Sequence, residues 1–515
     1  MSENADIVVA GAGHNSLVAA AYAAKAGFEV LVVEARSVVG GNTATEELTL
    51  PGFLHDSCST AHNLIQASPA LRELGLEQYG LEYLYPDPVV HIVFGDGAWL
   101  TQWRDLDRTC EEFARFSRRD ADAYRRLIEE YDAARAAFGA YRNNPAGKAP
   151  RPEEALDGRW RRRLAMSAWD VVRNEFEDWH TRAFMLWMSV MTVQPADRPG
   201  TGSLAYSLAY GRQQHSWTLP RGGSAALPLA LARLIEERGG MVITGKRVTG
   251  LVLEDGRCVG VETEDGERYT ARRAVVSTIH PKHLVGMAPS ELWTDDFPFG
   301  VETWRAGLAL FPTHLAVTDA PAFVVDGGEI APVASGIAPS VDRLLRIGPD
   351  AERGLLADDD PVLLVVCASV ADPSRAPEGR HVLKVIGFQP YELAHGGAAH
   401  WDEVKDVAAE RNLAQLRRFA PNLTDETILA RVVKSPLDLE RMNAHNWHGT
   451  CHGGDLGPSQ SGTLRFQPRT PIPGLYQTGA TTHPGGSVSA APGRNTAAVL
   501  LEDLGTSLEE AVTGA

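Results

Sequence analysis

The apolar positions near the N-terminus form two short runs with a stretch of small residues between them. Residues 7–10 read Ile-Val-Val-Ala, and residues 30–33 read Val-Leu-Val-Val. Uninterrupted apolar runs of this length are typical of strands buried in a parallel sheet. Residues 17–26 are rich in alanine, which favours a helix, and Gly27 follows them. The pattern predicts a strand, a helix and a second strand, because parallel strands need a crossover connection.

The later patterns separate into three segments. Residues 90–216 carry mostly helical patterns, above all over residues 106–142, and are predicted to form a cap. Residues 286–465 contain apolar strand patterns and one amphipathic helix, which predicts an α+β unit with a mixed sheet. Between these two segments, residues 217–285 return to short strands, with a hairpin turn at Asp255-Gly256.

A glycine turn lies between the first strand and its helix. Gly11 permits a tight turn, and Gly13 lets the backbone approach a pyrophosphate at the open helix start. Ser16 replaces the third glycine of the G-x-G-x-x-G fingerprint, and serine is small enough to be tolerated there. Glu34 ends the second strand, where a carboxylate binds a ribose hydroxyl, which predicts FAD or NAD rather than NADP. The alternative, a glycine turn without a nucleotide, is disfavoured by the two flanking strands.

These motifs resemble the opening of the phytoene desaturase-like flavoproteins, within the wider glutathione-reductase/amine-oxidase flavin superfamily. The resemblance rests on residues 11–15, 34–36, 39–41, 45–47 and 51–53. It implies that FAD binds here, with Glu34 at the adenosine ribose and Arg36 near the pyrophosphate and flavin. The other cofactor positions that it implies in this part of the chain are His14, Asn15, Ala35, Gly40, Gly41 and Asn42.

The same resemblance continues in two later segments. Residues 217–285 follow the family order of a Pro-x-Gly-Gly segment, a helix, a meander and a last strand, which implies that Val248 lies beside the adenine. Residues 474–495 resemble the family's C-terminal flavin segment, with a helix from about Gly493. Backbone N–H groups at such a helix start suit the electron-rich edge of a flavin. Close approach to the flavin is expected at Gly479, Gly486 and Gly493, and Ser487 and Val488 are also expected there.

Together these patterns predict an α/β fold with a Rossmann-like FAD-binding domain that is discontinuous in sequence, an α+β substrate domain and a helical cap. The predicted FAD-binding domain consists of residues 1–89, 217–285 and 466–515. The mostly helical cap and substrate segment is residues 90–216, and the substrate domain with a mixed sheet is residues 286–465.

Composition and charge narrow the possible partners. The 515 residues are 44 % hydrophobic and 22 % charged, as in globular proteins, and their formal net charge is −17. This charge disfavours nucleic-acid binding and a wholly electrostatic attachment to anionic lipid. No transmembrane helix and no secretory signal are predicted, so a cytoplasmic location is expected. The sequence leaves the oligomeric state open.

Two further features leave alternatives. The basic and aromatic residues 159–169 are compatible with peripheral membrane contact, but a solvated helix edge with its apolar side in the core is favoured. The cysteines are scattered and form no C-x-x-C motif, which indicates no disulfide framework and argues against a dithiol reductase. These cysteines are Cys58, Cys110, Cys258, Cys367 and Cys451.

Histidines in the C-terminal third are the candidates for acid–base chemistry. His452 and His483 are predicted to border the flavin, because imidazole titrates near neutrality; histidines that hydrogen-bond loop backbone are the alternative. His445, His448 and His452 show no familiar ligand spacing, so no metal site is predicted. Cys451 is a candidate for a covalent flavin link, although a plain buried thiol is favoured.

The function expected from these residues is that of an FAD-dependent oxidoreductase, a dehydrogenase, desaturase or oxidase. It would act on CH–CH bonds of a small-molecule, largely apolar substrate by hydride transfer to flavin N5. Two alternatives stay open: a flavin-dependent redox-neutral isomerase, and a non-catalytic flavin-binding regulatory protein. Amine oxidation is a further alternative, but the sequence shows neither the lysine near flavin N5 nor the aromatic pair of that subgroup.

Overall fold

The computed structural model describes residues 4–294, 296–357 and 359–514. Its strands are β1 Asn4–Ala10, β2 Val30–Val33, β3 Thr45–Glu47, β4 Leu54–Asp56, β5 Tyr83–Leu84, β6 Val90–Phe94, β7 Trp99–Gln102, β8 Leu219–Pro220, β9 Met241–Ile243, β10 Val248–Glu254, β11 Arg257–Thr263, β12 Arg268–Ser277, β13 Ala309–Val317, β14 Phe323–Val325, β15 Gly328–Ile330, β16 Ala334–Ala338, β17 Leu363–Val366, β18 His381–Gln389, β19 Ile428–Val433 and β20 Leu475–Gln477.

Helices connect and cover these strands. They are α1 His14–Lys25, α2 Ala70–Leu74, α3 Leu106–Ala114, α4 Arg118–Arg142, α5 Pro152–Ala155, α6 Gly158–Ala165, α7 Ala168–Glu175, α8 Trp179–Val190, α9 Leu204–His215, α10 Ala226–Glu237, α11 Pro281–Leu284, α12 Asp296–Glu302, α13 Val341–Glu352, α14 Trp401–Arg417, α15 Pro436–Met442, α16 Ala491–Asp503 and α17 Leu508–Thr513. Among the described residues, no helix is both long enough and apolar enough to span a membrane.

The first sheet contains the predicted β-α-β unit. Its strand order is β10-β11-β12-β1-β2-β9, and β20 pairs with β12. Strands β1, β2, β9, β12 and β20 run parallel, and β10 and β11 add an antiparallel edge. Ile7 and Val9 bury against Leu17 of α1, while Val8 packs on the opposite face with Val261. Because both faces are covered, residues 7–10 and 30–33 are apolar throughout, as the sequence pattern indicates.

The two ends of the chain meet on this sheet. Helix α16 packs against α1 so closely that a Cβ added at Gly493 would overlap the carbonyl oxygen of Asn15. Strand β20 extends the same sheet beside β12. The close approach expected at Gly493 is therefore one between two helices, and it brings the C-terminal segment next to the glycine turn.

The second sheet is mixed, with the order β19-β13-β18-β17-β16-β6-β7. Only β16 and β6 pair in parallel among these described strands. Strands β6 and β7 lie in residues 90–102, inside the segment whose pattern is mostly helical. Residues 90–94 form a strand rather than a helix, and all of them are buried within the sheet. One sheet thus takes strands from both sides of residues 217–285.

Helices α3 and α8 pack on this second sheet, and α4 to α7 and α9 pack around them. Trp187 of α8 is fully buried and donates its indole N–H to Leu363 O of β17 at 3.1 Å. The helical pattern over residues 106–142 contains a break, since Ser117 caps α4 by accepting from the Asp120 N–H. In α6, Trp160 is buried against Tyr131 rather than exposed. The aromatic side of residues 159–169 therefore faces the core.

Candidate functional site

A cavity of about 740 Å³ lies where the two sheets and the helical segment meet. Ligand pockets commonly measure about 300–1,000 Å³. Most predicted site positions line it: Gly11, Gly13, His14, Asn15, Glu34, Ala35, Arg36, Gly40, Gly41, Asn42, Val248, His452, Gly479, Gly486, Ser487 and Val488. Three predicted positions, all described by the structure, lie outside this lining: Ser16, His483 and Gly493.

The glycine turn shapes the cavity wall at the start of α1. Gly11 has a φ of +98°, and a Cβ added there would overlap Thr278 Cγ2. Gly13 precedes α1 and places no side chain over the first N–H groups of the helix. The Ser16 hydroxyl oxygen lies 2.6 Å from Gly11 O and 2.9 Å from Gly13 O. Ser16, which replaces the third glycine of the fingerprint, therefore stabilises the turn through its buried hydroxyl group.

Glu34 faces the cavity from the end of β2. One carboxylate oxygen accepts from the Ala12 N–H at 2.6 Å, and the other accepts from the Arg36 N–H at 2.8 Å. A carboxylate has about four lone-pair sites, so Glu34 retains acceptor capacity for hydroxyl groups. The two backbone contacts fix its orientation, which is the arrangement that binding a ribose requires.

Arg36 carries an unsatisfied donor at this wall. Its Nη2 donates to both carboxylate oxygens of Glu46, at 2.7 and 2.9 Å. Its Nη1 is buried without a hydrogen-bond partner among the described residues, and His14 Nε2 is in the same situation. Buried polar atoms are rarely left unpaired in native proteins, and ligands are one way to satisfy them. Together with the open helix start, Arg36 fits an anionic group such as a pyrophosphate.

The C-terminal segment lines the cavity beside this turn. His14 hydrogen-bonds the backbone of Ser487, and Asn42 donates to Asn446 Oδ1 at 2.7 Å. Ser487 has a φ of +94°, a conformation that costs a non-glycine residue about 1–3 kcal/mol and that clusters at ligand sites. A Cβ added at Gly479 would lie 2.7 Å from Thr278 Oγ1. Gly479 therefore has no room for a side chain.

Arg465 holds this segment in place and was not among the predicted positions. Its side chain is 1 % exposed and donates to five backbone carbonyl oxygens at 2.6 to 3.2 Å. The carbonyls belong to Gly453, Asp455, Gln460, Ala480 and Thr482. No pattern in the sequence distinguishes this arginine, because its partners are backbone groups brought together only by the fold.

The two candidate histidines have different positions. His452 lines the cavity, and burial lowers its pKa to about 4, so its imidazole is neutral at physiological pH. His483 Nε2 lies 2.9 Å from the carbonyl oxygen of Tyr141, a contact with loop backbone. His445 also lines the cavity, with Nδ1 2.8 Å from Thr278 O. Within the described residues, no group of three or more histidine, cysteine or acidic side chains is placed to hold a metal ion.

The fold brings together two cysteines that are far apart in sequence. Cys58 and Cys451 share a buried cluster and both line the cavity. The Cys451 thiol hydrogen-bonds Cys58 and lowers its pKa. Lys384 is buried beside them and donates to Cys58 O at 2.6 Å. This lysine interrupts the apolar residues 381–388, and that interruption could have identified it from the sequence as a candidate site residue. No local pattern in the sequence identifies the cysteine pair.

The lowered pKa of His452 predicts an acid-sensitive stability. The unfolded histidine binds a proton near its usual pKa of about 6.5, whereas the folded one does so near 4. Its contribution is therefore present above pH 6.5 and is lost as pH falls toward 4, by up to about 1.4 kcal/mol per pH unit. Between pH 6.5 and pH 4, we expect the urea midpoint of unfolding to fall less steeply for His452→Gln than for the wild type. Equal slopes for wild type and variant would contradict this assignment.

The fold and the cavity define the class of protein. The fold is similar to that of a solved structure of wild-type putrescine oxidase bound to putrescine. That structure has a TM-score of 0.65 and 16 % identity, and the match covers 98 % of this chain and 99 % of that one. Residues 17–326, well over half of the chain, match the family described as flavin containing amine oxidoreductase. The chain belongs to this family, and the predicted α/β class is confirmed.

Two curated relatives match along nearly the whole chain. A limonene dehydrogenase subunit of Castellaniella defragrans is 28 % identical, and the match covers 98 % of this chain and 95 % of that protein. Phytoene desaturase (lycopene-forming) of Pantoea ananas is 27 % identical, with 96 % and 99 % covered. The resemblance to phytoene desaturase-like proteins is thereby confirmed.

Proposed function

We propose that this protein is an FAD-dependent oxidoreductase that removes a hydride and a proton from a largely apolar substrate. The observation that carries the proposal is one cavity with two kinds of lining. The glycine turn, Glu34 and the C-terminal segment supply a dinucleotide site. Apolar side chains from the helical segment and the second sheet supply the rest, among them Phe138, Met191, Leu204, Leu208, Ile386 and Phe388.

In this proposal the cofactor lies along the predicted positions. Glu34 binds the adenosine ribose, Val248 lies beside the adenine, and Arg36 with the start of α1 binds the pyrophosphate. The backbone of Gly479, Gly486 and residues 487–488 borders the flavin. FAD bound here supplies a hydride acceptor at flavin N5.

The chain itself binds the substrate, excludes water and accepts the proton. The apolar side chains hold a hydrocarbon portion of the substrate and keep the cavity dry, which strengthens every electrostatic contact inside it. His452 is neutral and lines the same cavity, so its imidazole is the candidate proton acceptor. We assign His483 no contact with the substrate, since it does not line the cavity and its Nε2 hydrogen-bonds Tyr141 O.

The relatives favour CH–CH dehydrogenation over amine oxidation. The names of the two curated relatives describe a dehydrogenase of limonene and a desaturase of phytoene. The apolar lining of this cavity agrees with substrates of that kind. Lys384 donates to Cys58 O and Asp56 O, so its ammonium group is directed into backbone carbonyls.

We expect the purified protein to be yellow and to release FAD on heating. Mixed anaerobically with an apolar substrate that it dehydrogenates, it should lose the flavin absorbance at about 450 nm. The measurement is a stopped-flow record at that wavelength for a panel of unsaturated and saturated compounds. A colourless protein that FAD does not reconstitute would overturn the cofactor assignment. Product formed without an electron acceptor would instead identify an isomerase.

A further inference from the structure

One buried cation in the cavity wall has no counter-charge in the part of the chain that the structure describes. Arg212 of α9 is 3 % exposed and lines the cavity. Its Nη1 donates to the Met188 sulfur at 2.9 Å, and its guanidinium lies 4.3 Å from the Trp217 ring centroid. Its Nε has no hydrogen-bond partner, and no carboxylate among the described residues forms an ion pair with it. Burial lowers the pKa of Arg212 to about 9, so the side chain still carries its charge at neutral pH.

The other buried arginines among the described residues have partners, which are carboxylates for Arg163 and Arg375 and backbone carbonyls for Arg465. Arg163 is 5 % exposed and is paired with Glu130 at 2.6 Å and with Glu175 at 2.8 Å. Arg375 is 1 % exposed and lies 3.1 Å from Asp56. Isolated charges are strongly disfavoured inside proteins, where they are normally paired. Arg212 departs from this rule at the wall of a cavity, which is where a ligand would supply the missing partner.

The surroundings of Arg212 indicate the shape of that ligand. Leu208 and Leu204 lie one and two turns before Arg212 on α9, and all three line the cavity. The same face of the helix therefore offers apolar contacts that end at a cation. Because a guanidinium is a planar fork of donors, it matches the two oxygens of a carboxylate.

We propose that Arg212 binds the carboxylate of the substrate, and that the substrate class is a monocarboxylate with a long apolar chain. This inference rests on the proposed function, because it assigns the anionic end of the molecule whose apolar part fills the cavity. A pure hydrocarbon would leave Arg212 buried without a partner. Arg212 is thus a specificity-determining residue, with its guanidinium in contact with the substrate.

The test is calorimetric binding of decanoate and of decanol to the purified protein, whose flavin content is first read from its spectrum. We expect wild type to bind decanoate about tenfold or more tightly than decanol. Arg212→Met should remove this preference, and Arg212→Lys should retain part of it. The binding measurement needs no turnover. A protein that contains no flavin would contradict the proposed function, whereas the comparison of decanoate with decanol would still test the role of Arg212.

The matched control is Arg163→Met, which removes a buried arginine outside the cavity. We expect its preference for decanoate to equal that of wild type, although its thermal midpoint should fall, since Glu130 and Glu175 lose their partner. Equal binding of decanoate and decanol by wild type would overturn the proposal. So would an undiminished preference in Arg212→Met, or in Arg212→Gln if the methionine variant does not fold.

Discussion

Alanine at Gly11 is expected to lower the affinity for the proposed FAD by about tenfold or more, equivalent to at least about 1.4 kcal/mol. Two effects combine at this position. Gly11 has a φ of +98°, and an added Cβ would overlap Thr278 Cγ2 across the turn. Relieving that overlap moves the turn that leads into Gly13 and the open start of α1. The anion site depends on the position of those N–H groups.

Gly27→Ala is the matched control because it shares the backbone strain but not the overlap. Gly27 follows the same helix with a φ of +89°, and no atom lies within 4 Å of an added Cβ. Both variants should lose about 1–3 kcal/mol of stability from the left-handed backbone conformation. Fluorescence titration of the apoproteins with FAD separates the two effects. Similar FAD affinities for Gly11→Ala and Gly27→Ala would mean that the turn does not bind the dinucleotide.

Local patterns predict the half of the site that is continuous in sequence. The apolar residues 7–10 and 30–33 identify β1 and β2, since a strand buried on both faces needs no tertiary information to be recognised. Gly11, Gly13 and Glu34 then follow from their spacing relative to those strands. The resemblance adds Arg36, Gly479 and Gly486, which line the same cavity.

Local sequence patterns do not identify side chains whose role depends on residues far away in the chain. Arg212 sits in an ordinary helical pattern, and only the fold shows that, among the described residues, no carboxylate pairs with it. Cys58 and Cys451 read as scattered thiols, yet they hydrogen-bond in the cavity wall. In both cases the missing information is long-range. Residues 90–94 differ, because their apolar Val-His-Ile-Val-Phe run before a Gly-Asp-Gly turn is a local strand pattern within a mostly helical segment. Only their pairing with β16, more than two hundred positions away, depends on the fold.

Replacing Arg465 by methionine is expected to lower the free energy of unfolding by at least about 3 kcal/mol. The substitution keeps most of the apolar volume but leaves the carbonyl oxygens of Gly453, Gln460 and Ala480 without a donor among the described residues. The other two oxygens, Asp455 O and Thr482 O, each keep one further donor. Each unsatisfied buried acceptor costs about 1–3 kcal/mol, less where water enters. These carbonyls lie in residues 453–482, beside the backbone that borders the proposed flavin. FAD affinity should therefore fall together with stability.

Arg469→Met, four residues further along, distinguishes this effect from the loss of any arginine. Arg469 donates to both carboxylate oxygens of Asp503, at 2.8 and 2.7 Å, but its side chain is 52 % exposed. Exposed ion pairs contribute about 0–1 kcal/mol, so this variant should unfold close to wild type and keep its FAD. Urea unfolding followed by tryptophan and by flavin fluorescence reports both quantities in one experiment. If Arg465→Met unfolded like Arg469→Met, the C-terminal segment would be held by contacts other than this guanidinium.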